Sequence, residues 1–171
     1  MNSAGSSGGA GDQAPVHLAK VLTVSDSVAA GTASDRGGPA VASMLTDAGF
    51  AVVDQRVVAD GRHEVGEALV EMCEGFAGVV VTTGGTGFGP RDLTPEGTLV
   101  ILDRQAPGLA EAMRSVNALG RLSRGVAGTR GQALVINLPG SPKGACECLG
   151  AVIDVVPHAL DLLAGQQGRH P

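Results

Sequence analysis

Three stretches of this chain, "KVLTVSDS" (20–27), "GVVVTTG" (78–84) and "ALVINLP" (133–139), carry Val, Leu and Ile in near-continuous runs. A strand with one wet face alternates apolar and polar residues; a run like these belongs to a strand covered on both faces, and helices supply the cover. The intervening segments read accordingly. "GPAVASMLTDAG" (38–49) is a helix with a glycine stop, and "FAVVDQRVV" (50–58) a second strand. "GRHEVGEALVEMCEG" (61–75) sets Val65, Ala68, Leu69 and Met72 at helical spacing. Further helices are predicted over 94–103, 107–118 and 143–164, the last broken or kinked at Pro157, which cannot donate an i→i−4 bond. This alternation predicts an α/β protein, a three-layer α/β/α fold with a mostly parallel sheet. Trp and Tyr are absent and Phe occurs three times, so the interior is filled by aliphatic side chains. With 171 residues the chain has length for one cored domain, expected over 16–171. Residues 1–15, "MNSAGSSGGAGDQAP", hold too little apolar surface to repay ordering and are expected to form a disordered tail.

Charge and composition exclude several functions. The net charge is −5, and the twelve Lys and Arg are scattered without a basic run, which argues against a nucleic-acid partner. No apolar stretch reaches the roughly 20 residues of a membrane span, and the amino-terminal segment lacks the cationic and apolar parts of a signal peptide. Cys73, Cys146 and Cys148 are odd in number and read as reduced thiols of a cytoplasmic protein. Cys146 and Cys148 have no His beside them and are expected on a helix face rather than on a metal. The four His, at 17, 63, 158 and 170, have no ligand spacing and receive no catalytic role.

Folds of this class bind ligands beyond the carboxyl ends of the parallel strands. Four such ends are polar or glycine-rich. "VVVTTGGTGFGPRDLTPEGT" (79–98) leaves its strand at Thr82 and Thr83 and turns through glycines that let main-chain N–H groups face an anion. It is neither a Walker loop nor a dinucleotide fingerprint, because no Gly-Lys-Ser/Thr follows and Pro90 bars an immediate helix. Thr94 is the expected N-cap, with Pro95 in the first turn. Asp92 either completes this turn or serves a ligand, and Arg91 either meets a phosphate or is a solvated charge. "ALVINLPG" ends in Asn137, Pro139 and Gly140, after which Ser141-Pro142 opens a helix whose amino end suits phosphate. "VSDS" sets Ser25, Asp26 and Ser27 at the first strand end, ahead of "AAGTASDRGG", a flexible loop or part of the same crevice. Asp60, in "VVADGR", is either a plain N-cap or a carboxylate facing Asp92; paired near phosphate, the two aspartates suggest Mg²⁺.

"TTGGTGFGPRDLTPEGT", "LSRGVAGTRG" (122–131) and "LVINLPGSPKGACECL" (134–149), with "VLTVSDS" and "VVADG" in order, closely resemble the MogA/MoaB family of molybdenum-cofactor biosynthesis, and the likeness runs from 19 to 164. The resemblance implies a molybdopterin-binding α/β fold that associates as a homotrimer. In the MogA branch it implies transfer of AMP from Mg-ATP to molybdopterin with release of pyrophosphate, the product passing to a molybdate-inserting protein. The two aspartates essential in that branch match Asp60 and Asp92, as catalytic and metal-binding residues. Pterin and phosphate contacts map onto Thr83, Gly84, Gly85, Thr86 and Gly87 and onto Asn137, Pro139, Gly140, Ser141 and Pro142; Ser25 and Asp26, from the first strand end, are expected to join them as substrate-binding residues. "GPRDLTPEGT" keeps the form of the adenylylating branch. The competing expectations are a MoaB-like pterin binder without transfer activity, a non-enzymatic scaffold, and a CinA-type nucleotide-processing domain.

Overall fold

The computed structural model describes residues 16–165, so the tail expected over 1–15 and His170 lie outside the described residues. Six strands form one sheet: β1 (Leu18–Val24), β2 (Ala51–Val58), β3 (Gly78–Thr83), β4 (Arg104–Gln105), β5 (Ala127–Arg130) and β6 (Ala133–Leu138), in the order β2-β1-β3-β6-β5-β4. β2, β1, β3 and β6 are mutually parallel, whereas β5 runs antiparallel to β6 and β4 antiparallel to β5. The parallel core matches the sequence expectation. The short β4–β5 flank does not appear in that reading, because "RQ" and "AGTR" offer no apolar run.

Alternate residues of the central strands feed two apolar layers. After β1 a single turn, α1 (Asp26–Ala29), leads on; Val79 and Val81 of β3 join Val21, Ile136 and Leu138 on one face, under α2 (Gly37–Asp47), α6 (Pro142–Gly150) and α7 (Val156–Leu163). Val80 joins Leu22 and Val135 on the other, under α3 (Arg62–Cys73), whose Val65, Leu69 and Met72 are fully buried. At about 1.5–3 kcal/mol for each fully buried aliphatic side chain, these layers supply the main drive to fold. The three-layer arrangement follows directly from strands that are apolar on both sides.

Several helix limits differ from expectation, each for a visible reason. The helix predicted over 94–103 ends early, as α4 (Thr94–Leu99), because the chain at 103–106 is drawn into the sheet: Asp103 N donates to Thr129 O (2.8 Å) and Ala106 N to Ala127 O (2.8 Å). The next helix, α5 (Pro107–Arg114), gives way to a short 3₁₀ turn over Ala118–Leu122. Pro157 stands in the first turn of α7, so the long apolar region is two helices, not one kinked helix. Cys146 and Cys148 sit on α6, and all three cysteines are free thiols. Burial pushes the Cys73 thiol up to about 11. Among the described residues no helix is long and apolar enough to cross a membrane.

The register aligns the carboxyl ends of the parallel strands: Thr83 pairs with both Thr23 and Leu138, and Val24 with Val58. From β1 the chain moves outward to β2, then returns past β1 to β3. Its direction of winding therefore reverses between β1 and β3, which opens a crevice beyond Val24 and Thr83.

Candidate active site

Glycine geometry shapes this crevice. Gly84 follows β3 with φ +108°, and its N–H reaches Leu138 O (3.1 Å); a side chain there would strike Val24 O. Gly85 has φ +65° and is hemmed in by Thr94 Oγ1, with Asp60 Oδ1 3.0 Å from where a Cβ would stand. Both conformations lie in the region that favours glycine. The turn is pinned from beneath. Thr94 Oγ1 donates to Gly84 O (2.9 Å) and Thr94 N to Gly85 O (3.1 Å). Thr94 therefore is not the side-chain N-cap expected of it: its hydroxyl is fully buried and spent on the glycine turn. The main-chain N–H groups of Gly85, Thr86 and Gly87 donate to no acceptor among the described residues. Successive free donors in such a turn form a concave anion site.

Arg124 holds the far side of this loop, a role the sequence reading did not assign. Its N–H meets Thr86 O (2.9 Å), its Nε donates to Gly87 O (2.8 Å), and its guanidinium also reaches Asp92 O and Glu96 Oε1. The only sequence signal for it was its place in "LSRGVAGTRG".

The acidic residues arrive from two directions. Asp60, just past β2, accepts from Asp26 N through Oδ2 (2.8 Å), while Asp60 N donates to Asp26 Oδ1 (3.1 Å). The plain N-cap reading of Asp60 is thereby corrected; Gly61 takes that position and Asp60 is tied to the loop after β1 instead. Asp92 accepts from Gly89 N through Oδ2 (2.9 Å), completing its own turn, and it also faces the crevice. Arg91 is exposed and ion-paired: its Nε and Nη2 grip Asp26 (2.5 and 3.0 Å), and Nη2 also meets Asp60 O. That hydrogen bond with Arg91 holds the Asp26 carboxyl below its ordinary range. Asp60 is pushed up, first by partial burial and further by the charges of Asp26 and Asp92.

Ser25, Asp60, Thr83, Gly84, Gly85, Asp92, Gly140 and Pro142 line one cavity of about 330 Å³. Thr23, Ser27, Asp35, Arg36 and Gly37 complete much of its wall, so the "AAGTASDRGG" stretch that carries the last three belongs to the same crevice. Asp26 stands behind Asp60, and Gly87 beside Asp92. Thr86 is buried. Asn137 is 2% exposed and fully occupied: Nδ2 donates to Thr82 Oγ1 and Thr98 Oγ1 (both 3.0 Å), and Oδ1 accepts from Val126 N (3.2 Å). It supports the floor and presents no group to the cavity. Pro139 and Ser141 turn toward a neighbouring hollow of about 460 Å³ beside Lys143 and Leu119, with Ser141 capping α6 through Gly144 N (3.2 Å). A larger hollow of about 590 Å³ runs along α3 beside Arg62, His63, Glu71 and Val100; it includes neither aspartate nor the glycine turn, so the smaller, polar crevice is the better candidate.

Two carboxylates, each with one oxygen engaged by a main-chain N–H and the other unbonded, fit a hard divalent cation that keeps waters and takes substrate oxygens. Among the described residues no group of three or more His, Cys, Asp or Glu could form a closed protein cage.

Residues 20–158 match the family described as "Probable molybdopterin binding domain". The chain belongs to that family. It is 38% identical over 157 residues to a protein named molybdopterin adenylyltransferase from Helicobacter pylori, covering 88% of this chain and 89% of the relative. Among solved structures it resembles the molybdopterin biosynthesis enzyme MoaB of Thermus thermophilus (44% identity, TM-score 0.83, 88% of this chain and 98% of that one). It also resembles the molybdopterin biosynthesis Mog protein of Mycobacterium ulcerans (43% identity, TM-score 0.82, 90% and 100%). The α/β fold and a place among proteins of molybdenum-cofactor biosynthesis follow.

Proposed function

We propose that the protein is a molybdopterin adenylyltransferase, moving AMP from ATP to the terminal phosphate of molybdopterin. The observation that carries this reading is the convergence of Asp60 and Asp92 with Gly85, whose N–H is unpaired, in one cavity at the sheet's point of reversal. In the transfer, an oxygen of the pterin phosphate bonds to the α-phosphorus of ATP. The bond from that phosphorus to the β-phosphate bridge breaks, and pyrophosphate leaves with the electron pair. Both reactants are anions, so alignment and positive character matter more than a covalent intermediate. The N–H groups of Gly85, Thr86 and Gly87 supply such character without a reorganising side chain. Asp60 and Asp92 would hold Mg²⁺, which neutralises the triphosphate and the departing pyrophosphate. Arg91 and Asp26 keep Asp60 in place, and Arg124 fastens the glycine loop through Thr86 O, Gly87 O and Asp92 O.

The test is direct: incubate the protein with molybdopterin, ATP and Mg²⁺ and follow adenylylated pterin and pyrophosphate. A chain that binds pterin yet yields neither product is the MoaB-like reading, which the 44% identity to a MoaB enzyme keeps in play. Mg²⁺ binding has its own readout. The ion should raise the melting temperature of the wild type and do so less in Asp60→Asn and Asp92→Asn; equal shifts would remove these residues as ligands. We further read the protein as a cytoplasmic homotrimer that passes its product to a molybdate-inserting protein. Exposed Val155 and Leu162 beside α7 support self-association, and light scattering measures it.

A further inference from the structure

The cavity wall holds three carboxylates, Asp35, Asp60 and Asp92, and a single basic side chain, Arg36. The other arginines on the neighbouring segments do not line this cavity, and Arg62, exposed at the start of α3, lines the hollow along that helix instead. Arg91 is gripped by Asp26, and Arg124 by Glu96 and main-chain carbonyls. Arg36 is exposed, and no hydrogen bond or ion pair among the described residues occupies its guanidinium.

Its backbone is the opposite case. Asp35 on one side accepts from Thr23 Oγ1 (2.7 Å) and from Gly38 N (3.0 Å), which fastens the start of α2 to the end of β1. Gly37 on the other side is packed so closely that a Cβ would stand 3.1 Å from Thr83 Oγ1 and 3.3 Å from Gly140 O. The main chain at residue 36 is therefore held against both strand-end loops, while the side chain keeps its hydrogen-bonding capacity. Of the wall's carboxylates, Asp35 has both oxygens committed elsewhere and Asp60 has one. A cation fixed at its root and unsatisfied at its tip, on an otherwise acidic wall, is suited to an anion that enters the cavity.

We propose that Arg36 is a phosphate-contacting residue, its guanidinium binding phosphoryl oxygens through paired charge-assisted hydrogen bonds. Planar, permanently charged and weakly hydrated, a guanidinium matches phosphoryl geometry better than an ammonium does. Arg36 approaches from the α2 side, whereas Asp60 and Asp92 come from the loops after β2 and β3. It thus offsets the repulsion between carboxylates and a phosphorylated ligand. The inference rests on the adenylyl-transfer reading for the identity of that ligand: the phosphoryl group belongs either to ATP or to molybdopterin.

Arg36→Ala and Arg36→Lys in the full chain provide the test. The structure gives the side chain no protein partner, so both variants should melt with the wild type. In steady-state assays Arg36→Ala should raise KM for one substrate about tenfold to a hundredfold, the range for a charge-assisted contact, with a smaller fall in kcat. Arg36→Lys should recover part of the loss. A rise confined to ATP assigns the polyphosphate, and one confined to molybdopterin assigns the pterin phosphate. Both KM values staying within about twofold of wild type would overturn the proposal. A second measurement needs no turnover: calorimetric titration with inorganic pyrophosphate, which should bind the wild type and bind Arg36→Ala at least about tenfold more weakly. Equal affinities, or no binding by the wild type, overturn it too. A wild-type protein that makes no adenylylated pterin sinks the functional reading, yet the pyrophosphate comparison still decides the role of Arg36.

Discussion

Two polar groups of residues lie near the strand ends, and they are built on opposite principles. In the floor, Thr82, Thr98 and Asn137 are each 2% exposed or less, and every polar atom of the Asn137 side chain has a protein partner. At the rim, Asp60 and Asp92 are only partly buried, and each leaves one carboxylate oxygen unused. A buried amide must be satisfied internally or it costs the fold a full desolvation penalty. A carboxylate with a spare oxygen beside a cavity retains bonding capacity for a ligand. Satisfaction marks the scaffold, and surplus marks the chemistry.

The sharpest way to break this contrast is to neutralise the rim. Asp60→Asn and Asp92→Asn should each lower adenylyl transfer by about two orders of magnitude or more, measured as pyrophosphate release, while thermal melts show the fold intact. Burial and neighbouring charge raise the Asp60 carboxyl above its ordinary range, so its ionised form burdens the folded state at neutral pH. Asp60→Asn should therefore match or exceed wild-type stability without metal; a marked loss of stability would place Asp60 with the floor.

Asn137→Ala is the mirror experiment. It strips Thr82, Thr98 and the Val126 N–H of a shared partner, and we expect destabilisation of about 3 kcal/mol, read from denaturant midpoints. Any loss of activity should track the unfolded fraction. A stable Asn137→Ala protein with lost substrate affinity would make the residue a ligand contact after all.

Gly85→Ala probes the boundary between the two groups. Its positive φ and the adjacent Thr94 hydroxyl should cost about 1–3 kcal/mol, with a loss of transfer activity larger than the melt accounts for. The smallest effect concerns pH. Arg91 holds the Asp26 carboxyl below its ordinary value, so the pair's contribution is fully present above about pH 4 and fades as pH falls through the lowered folded value. The wild type should therefore be more stable than Arg91→Gln at neutral pH, and the difference should vanish in strong acid. Acid titrations of both proteins measure this.

The contrast also explains what could be read from sequence. The runs at 20–27, 78–84 and 133–139 specify buried parallel strands because periodicity reports burial directly. Glycines beside strand ends point to the crevice for the same local reason. Whether a polar residue there looks inward or outward depends on one residue of register. "INLPG" places Asn137 among the expected ligands, but β6 sets it in the core opposite Thr82. Arg91 and Arg124 were illegible for another reason: the partners of the first side chain lie 31 and 65 residues away and those of the second 28–37, beyond any local pattern. Thr94 carried a true helix-start signal that a tertiary contact with Gly84 overrode. The β4–β5 pair is short and polar, and only pairing with β6 makes it strand.

The reciprocal bonds between residues 26 and 60 have a dynamic corollary. Each donor is a main-chain amide and each acceptor is a carboxylate of the other segment, so each hydrogen is shielded only while the partner's side chain stays seated. In deuterium exchange the two amides should thus slow together and lose protection together, giving a spectroscopic signal, in the empty protein, of whether the turns after the first two strands travel as one piece.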